Sequence, residues 1–197
     1  MTNGSARFIL ASSSPRRLAL LRQIAYPPDR VIAPAVDETP QRRELPRQYA
    51  LRLARLKART VASTLEGENW YLLAADTVVA CGRRILPKTE REAEARACLA
   101  LLSGRRHRVF GGVHLLRWDG RFAERVVVTR VKFKRLSREE TEEYIASGEW
   151  RGKAGGYAIQ GLAAALVPEI YGSYTNVVGL PLAETVNMLK GLGYRRR

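Results

Sequence analysis

The spacing of apolar residues predicts a strand followed at once by a helix near the start of the chain. Phe8 to Ala11 is a short apolar run that is typical of a buried strand, and three serines end it. Ser14 suits the N-cap of the next helix, and Pro15 suits its first position, where no N–H is needed. This helix is expected to stop before Pro27.

The junction between this strand and helix is the first candidate for chemistry. The hydroxyls from Ser12 to Ser14 lie close in sequence to Arg16 and Arg17, at a predicted helix N-terminus with free backbone N–H groups. This combination favours a bound anion. An ordinary capped surface helix with solvated arginines explains the stretch equally well when it is taken alone.

The next two segments predict an edge strand and a long amphipathic helix. Pro34 interrupts the strand pattern from Val31 to Val36, which favours a place at the edge of a sheet. Apolar residues at helical spacing predict a helix over about 46–64. Lys57 lies on the inward edge of this helix, so it either reaches back to water or points into a polar cleft. We expect the cleft.

Trp70 to Ala80 is the most apolar strand pattern of the chain, and Asp76 and Thr77 interrupt its apolar run. A carboxylate in such a run is costly to bury unless it is paired, hydrogen-bonded or bound to a metal. Asp76 is therefore the best single candidate for a catalytic or ligand residue. The alternative is an aspartate satisfied by backbone N–H groups at a strand end or bulge.

The second half of the chain predicts hairpins. Gly82 permits one after the apolar strand, and Asp119-Gly120 joins two long strand patterns over 109–118 and 122–133. A last helix is expected over about 181–192. Strands and helices alternate early and hairpins dominate later, which predicts an α/β fold with a mixed sheet flanked by helices.

Two helix starts and one loop are also predicted. Thr89 with Glu92, and Ser137 with Glu140, have the spacing of capping boxes. The glycine-rich segment 152–161 is expected to enter a strand and to let backbone approach a ligand closely. It has neither the Walker A spacing nor the Rossmann spacing.

Length and composition predict a single domain over residues 1–197, or one domain with two lobes. No apolar run approaches the length of a membrane span, and the N-terminus lacks the apolar core of a signal peptide, so we expect a cytoplasmic protein with no membrane partner. Cys81 and Cys98 have no spacing that indicates a disulfide framework or a zinc site.

The formal net charge of +15 suits nucleic acid, phosphorylated substrates or solubility. The arginines are scattered along the chain, and only 8% of residues are aromatic. A stacking surface for bases is therefore not indicated. Most of this charge is interpreted as solvated surface, with at most nonspecific affinity for nucleic acid.

Eight short motifs, in order, resemble the Maf family of nucleoside triphosphate pyrophosphatases. The family pattern that the chain meets nearly throughout is S-x-S-P-R-R, D-E, L-A-x-x-K-A, A-D-T, K-P, S-G-x-x-H-x-V, K-A-G-x-Y-x-I-Q-G and G-S-Y-x-N-V-V-G-L-P. The resemblance extends from Leu10 to the last helix. Each motif alone is weak, but the ordered set is specific.

This resemblance implies an elongated, two-lobed α/β fold of the Maf/ITPase-like type, with a mixed, twisted β-sheet, flanking helices and a central cleft. It implies hydrolysis of dTTP and UTP to the monophosphate and pyrophosphate, a divalent cation (Mg²⁺, or Mn²⁺ as an alternative), and by analogy a homodimer and a link to cell division arrest. The alternatives are a 7-methyl-GTP pyrophosphatase of the same fold and a basic nucleic-acid-binding protein without catalysis.

The resemblance also implies roles for particular positions. The phosphates are expected at Ser12 to Arg17, including Ser14 and Arg16. Lys57, Lys88 and Lys153 are expected to neutralise the triphosphate. Glu38 and Asp76 are the expected metal ligands, and Asp76 is also the expected proton acceptor, because a carboxylate beside a divalent ion can serve both purposes through one bound water. Arg16, Thr77 and Gln160 match positions that tune the accepted base, and Gln160 indicates the dTTP and UTP branch.

Two departures from the family pattern do not remove any of these residues. Thr89, and not proline, follows Lys88, and residues 110–113 replace the usual T-G-V after the histidine motif. For His107 and His114 we expect structural roles in or near a strand.

Overall fold

A computed structural model describes residues 6–196 of the chain. The strands are β1 (Arg7–Ala11), β2 (Arg30–Ile32), β3 (Trp70–Cys81), β4 (Arg84–Leu86), β5 (Lys88–Thr89), β6 (Arg106–Arg117), β7 (Phe122–Lys132), β8 (Lys153–Ala154) and β9 (Glu169–Tyr171). The helices are α1 (Pro15–Gln23), α2 (Pro46–Ala62), α3 (Glu92–Leu102), α4 (Arg138–Ser147), α5 (Tyr174–Val178) and α6 (Leu182–Gly191), with a 3₁₀ helix over Leu162–Leu166.

The centre of the fold is a seven-stranded sheet in the order β2-β1-β3-β6-β7-β9, with β4 beside β3. The pairs of β1 with β2 and β3 are parallel, and the other pairs are antiparallel. The predicted mixed sheet with flanking helices is therefore confirmed. β2 ends at Ile32, before Pro34, and lies at the edge of the sheet as predicted.

Helices pack on both faces of the sheet because side chains alternate along each strand. On one face, Ala58 and Val61 of α2 pack with Ile9 and Leu72. On the other face, Phe8, Leu10, Leu73 and Leu115 belong to a larger cluster that includes residues of α1, α3 and α6. No helix within residues 6–196 is long and apolar enough to cross a bilayer.

An interruption in strand pairing creates room for a site. One edge of β3 pairs with β6 from Tyr71 to Ala80. The other edge pairs with β1 over residues 70–74 and with β4 over residues 79–81. Residues 75–78 have no strand beside them on that edge within the described chain. Asp76 and Thr77 lie in this gap, in the middle of a continuous strand and not at a strand end.

Gly112 permits the close packing of α2 against the sheet. It is the register partner of Asp76 in β6. A Cβ atom at Gly112 would lie 2.2 Å from the backbone oxygen of Ala50, which is far inside contact distance. A side chain at Gly112 would push α2 away from β6 and from the neighbouring strand β3, which carries Asp76.

The predicted capping box at Thr89 and Glu92 is wrong. Helix α3 begins at Glu92, its N-cap is Arg91, and the side chain of Glu94 completes the cap. Thr89 is buried in β5 instead, where its hydroxyl donates to the backbone oxygen of Trp150 at 2.7 Å. A threonine can satisfy either environment, and tertiary packing decided between them. The second predicted capping box, at Ser137 and Glu140, is confirmed.

The prediction that segment 152–161 enters a strand is also wrong. After the two residues of β8 the chain turns at Gly155 and Gly156, with φ of +71° and +70°. L-residues avoid such values, so these glycines bend the chain where an extended strand would need negative φ. The segment then leads to the 3₁₀ helix.

Candidate active site

All eleven residues predicted to form a site line one pocket of about 440 Å³. The pocket lies beside residues 75–78 of β3, between the segments of this strand that pair with β1 and β4. Its predicted members are Ser12, Ser14, Arg16, Arg17, Glu38, Lys57, Asp76, Thr77, Lys88, Lys153 and Gln160. The structure therefore brings together side chains that are far apart in sequence.

Lys57 bridges the two carboxylates of the pocket. Its Nζ atom lies 2.6 Å from Oδ1 of Asp76 and 2.6 Å from Oε1 of Glu38. The Lys57 and Asp76 residues are only 5% and 3% exposed, so this ion pair is shielded from water. The prediction that Lys57 points into a polar cleft is confirmed. The ammonium group of Lys57 pairs with the Asp76 carboxylate, and this pairing offsets the free-energy cost of burying the carboxylate.

The local structure explains why these side chains meet. Asp76 shares its face of β3 with Leu72 and Ala74, which pack under α2. Lys57 lies on the buried side of α2. The alternation of the strand sends Thr77 to the opposite face, toward α1 and α5.

Glu38 belongs to the loop after β2 and is held by three partners. Its side chain contacts the ammonium groups of Lys57 and Lys88, and its backbone oxygen accepts a hydrogen bond from the hydroxyl of Tyr49. Burial acts to raise the pKa of Glu38, but the two lysines outweigh it and lower this pKa below its usual value. Glu38 is therefore ionised at neutral pH. Burial, helped by Asp76 and Glu38, raises the pKa of Tyr49 to about 12.

Arg17 is a buried cation that is held by neutral groups. Its Nε donates to the backbone oxygen of Gly179 at 2.9 Å, Nη1 donates to Oγ of Ser12 at 3.1 Å and Nη2 donates to Oγ1 of Thr77 at 3.1 Å. Within residues 6–196, no carboxylate lies within salt-bridge distance of Arg17. Burial lowers the pKa of its guanidinium, and the charge of Asp76 partly opposes this shift. A guanidinium has five N–H donors, so it can still donate to an anion in the pocket.

The start of α1 differs in one detail from an ordinary capped helix. Ser14 is the N-cap, as predicted, but its side chain makes no capping hydrogen bond. Its backbone N–H donates instead to Oγ of Ser12 at 3.1 Å. Arg16 is half-buried, and burial lowers its pKa. The hydroxyl of Ser14 thus faces the pocket without a partner from the helix that it caps.

The glycine-rich loop forms the opposite wall. It contributes Lys153 and Gln160, and Nζ of Lys153 donates to the backbone oxygen of Arg151 at 2.9 Å. Burial, with the nearby charge of Arg16, lowers the pKa of Lys153. Tyr157 also lines this wall, and its hydroxyl lies 2.8 Å from Nε2 of the buried His107.

Both histidines lie in β6, as expected. His107 contacts Tyr157, which anchors the loop to the sheet. Burial lowers the pKa of His107 to about 4, so it is neutral at physiological pH. Nδ1 of His114 lies 3.2 Å from Glu124.

The reasoning from sequence missed the residues that support Arg17 from behind. Nδ2 of the fully buried Asn176 donates to the backbone oxygens of Val109 at 3.2 Å and Val127 at 3.3 Å. Gly111 leaves room for this amide, because a Cβ there would lie 1.9 Å from Oδ1 of Asn176. The anchored helix α5 ends at Gly179, whose carbonyl binds Arg17. The sequence signal that could have indicated this role is the polar Asn176 directly before Val177 and Val178.

The charges of the pocket suit a polyanion and a cation together. Six cationic side chains and two carboxylates line it. Among residues 6–196, no three His, Cys, Asp or Glu side chains converge on one metal position. Glu38 and Asp76 each direct one carboxylate oxygen at the Lys57 ammonium, which brings the two side chains together, and carboxylates are the ligands that Mg²⁺ uses when substrate phosphates complete its shell. The two residues therefore fit a divalent cation that arrives with a phosphorylated substrate.

The fold of this chain is similar to that of a solved structure. A solved structure of a HAM1 protein from Coxiella burnetii matches with a TM-score of 0.50 and 16% sequence identity, covering 94% of this chain and 99% of that one. At this identity the likeness shows a shared fold and nothing more.

The sequence comparison is more specific. The model of the family described as Maf-like protein matches residues 7–192, and the chain belongs to this family. A dTTP/UTP pyrophosphatase of Caulobacter vibrioides is 60% identical over 187 residues, which are 95% of this chain and 96% of that protein. A dTTP/UTP pyrophosphatase of Paramagnetospirillum magneticum is 61% identical over 189 residues, which are 96% and 98% of the two chains.

Proposed function

We propose that this chain is a nucleoside triphosphate pyrophosphatase that hydrolyses dTTP and UTP to the monophosphate and pyrophosphate. One observation carries the proposal. The same pocket is lined by a buried guanidinium that has no carboxylate partner within residues 6–196 and by two carboxylates that a lysine bridges. The first group calls for an anion and the second suits water activation beside a cation. The named activity of relatives at 60% and 61% identity supports the choice of nucleotides.

Asp76 is the proposed proton acceptor for the attacking water. It is buried in the middle of β3, and Lys57 fixes its carboxylate in the pocket. Attack on the α-phosphorus builds negative charge on the leaving pyrophosphate, and fixed cations stabilise this charge. Arg16, Arg17 and Lys88 are proposed to orient the triphosphate, with Lys153 on the facing wall.

Glu38 and Asp76 are the proposed holders of a divalent cation, Mg²⁺ or Mn²⁺. Such a cation, when bound, neutralises phosphate charge and lowers the pKa of a bound water. Gln160 and Thr77 are proposed to tune the accepted base, Gln160 from the glycine-rich loop and Thr77 through its contact with Arg17. Action as one domain over residues 1–197, a cytoplasmic location, a homodimer and a link to cell division stay predictions.

A nucleotide panel with Mg²⁺ tests the proposed reaction. We expect dTTP and UTP to give equimolar monophosphate and pyrophosphate, with little orthophosphate. Turnover of 7-methyl-GTP in preference to both would move the chain to the alternative substrate. Release of orthophosphate alone would exclude attack at the α-phosphorus. Salt-resistant binding to DNA without any nucleotide turnover would favour the nucleic-acid alternative.

A further inference from the structure

Lys57 has a position that its expected role as a phosphate ligand does not explain. Its ammonium lies 2.6 Å from a carboxylate oxygen of Asp76 and 2.6 Å from one of Glu38. It thus occupies the point at which the two carboxylates converge. Lys57 is only 5% exposed, so bulk water is largely excluded from this position.

The other charges of the pocket make this position significant. The pocket is lined by four more cationic side chains than carboxylates. Arg17 lines the same pocket and has no carboxylate partner of its own within residues 6–196. Adding a divalent cation to this excess of positive charge is unfavourable, whereas adding a polyphosphate is favourable.

We propose that Lys57 is an internal counter-cation that keeps free divalent ions off Glu38 and Asp76, so that the metal binds only together with the triphosphate. The triphosphate supplies the negative charge that permits a divalent ion to share the carboxylates with Lys57. This inference rests on the proposed function for the identity of the nucleotide, but its predictions concern binding alone.

The main test is a titration of the full chain with Mn²⁺ alone, in the absence of nucleotide and phosphate, with the free ion measured by EPR. We expect Lys57→Met to bind Mn²⁺ at least roughly tenfold more tightly than the wild type, because the methionine fills the space and frees both carboxylates. Lys153→Met is the matched control. It removes the same charge from the same pocket, but the Lys153 ammonium donates to the backbone of Arg151 and touches neither carboxylate.

Equal tightening in Lys57→Met and Lys153→Met would overturn the proposal in favour of a general charge effect. No tightening in either variant would overturn it as well. If Lys57→Met does not fold, Glu38→Gln decides the question. We expect this variant to bind Mn²⁺ alone as weakly as the wild type, since Lys57 already withholds the carboxylate. A loss of Mn²⁺ affinity in Glu38→Gln would show that the free ion uses Glu38 and would contradict the proposal.

A second titration tests whether phosphate groups bind to the pocket without a metal. We expect inorganic pyrophosphate to bind the wild-type chain in the presence of EDTA, measured by calorimetry, and to bind Arg17→Met at least roughly tenfold more weakly. No binding of pyrophosphate without metal would overturn the proposed order. None of these measurements needs turnover, so a failure of the proposed hydrolysis and a failure of this inference are separate results.

Discussion

The buried cations on the two sides of the pocket have different kinds of partner. On the side of α2, the ammonium of Lys57 is neutralised by two carboxylates at 2.6 Å each. On the side of α1, the guanidinium of Arg17 is held by two hydroxyls and a carbonyl. Neutral acceptors fix the direction of a cation without cancelling its charge. On the α2 side the positive charge is therefore neutralised within the protein. On the α1 side the positive charge of Arg17 remains available to bind an anion.

The largest expected effect on activity comes from replacing the Asp76 carboxylate on the α2 side of the pocket. We expect Asp76→Asn to lower kcat/KM for dTTP by about 10³-fold, because the amide cannot accept a proton or neutralise a cation. The amide oxygen can still accept the hydrogen bond from Lys57, so the circular dichroism spectrum should be unchanged. Asp37→Asn is the control, since Asp37 is the exposed neighbour of Glu38 in sequence and its carboxylate accepts hydrogen bonds from the backbone N–H and the hydroxyl of Thr39.

Steady-state kinetics with matched protein concentrations checks this prediction. Wild-type turnover by Asp76→Asn would remove Asp76 from the chemistry. An equal loss in Asp37→Asn would assign the effect to the charge of the region as a whole.

The second prediction compares stability between the two sides. Lys57→Met leaves two buried or half-buried carboxylates without their shared partner, and we expect it to lower the free energy of unfolding by about 3–5 kcal/mol. Arg17→Met removes a buried charge that has no carboxylate partner in the described part of the chain, so we expect a change within about 1 kcal/mol in either direction, together with a clear rise in KM. Urea unfolding at pH 7 measures both. The comparison fails if Arg17→Met is the more destabilised variant.

The smallest expected effect is a dependence on pH that belongs to the carboxylate side. The pKa of Glu38 is lowered in the folded protein, so its ion pairs stabilise the fold above the unfolded pKa, and this stability is lost as the pH falls through the folded pKa. We expect Glu38→Gln to be less stable than the wild type by about 1 kcal/mol at pH 7, since the side chain is partly exposed and solvent screens it. This difference should shrink below the ordinary pKa of a glutamate.

His107 contributes a second pH effect that cancels in this comparison. Burial lowers its pKa to about 4 from 6.5, so the unfolded chain binds a proton first as the pH falls between these values. Both proteins therefore lose stability over that range to the same extent. The measurement is the difference between their unfolding free energies from pH 7 to pH 3.5. A constant difference would show that Glu38 contributes no net ion-pair stability.

Local patterns predicted most of the fold. The apolar run before Pro15, the helical spacing around Lys57 and the Asp119-Gly120 turn each specify an element through neighbouring residues, and each element is present. The errors fall where one residue type suits two environments. Thr89 packs against Trp150 and does not cap α3, and the glycines of the 152–161 loop bend the chain and do not extend it.

The candidate site shows the same division. Asp76 could be singled out from sequence, because a carboxylate in an apolar strand needs a partner. Local patterns also indicated an anion site at Ser12, Ser14, Arg16 and Arg17 and a polar cleft at Lys57. The family pattern supplied the remaining five residues, which are Glu38, Thr77, Lys88, Lys153 and Gln160. Neither approach could say that Lys57 contacts carboxylates, or that Asn176 and Gly179 hold Arg17 in place. These contacts join residues more than fifteen positions apart, so no local spacing encodes them.

The sequence by itself determined which chemical groups this protein possesses and which elements carry them. A strand, a serine-rich turn and a proline-started helix follow from adjacent residues, and the cost of burying Asp76 follows from its neighbours. Only the tertiary structure decided which cation meets which anion. That choice depends on the gap between β1 and β4 along one edge of β3 at residues 75–78, and on Gly112 letting α2 approach. Both are properties of packing between distant segments.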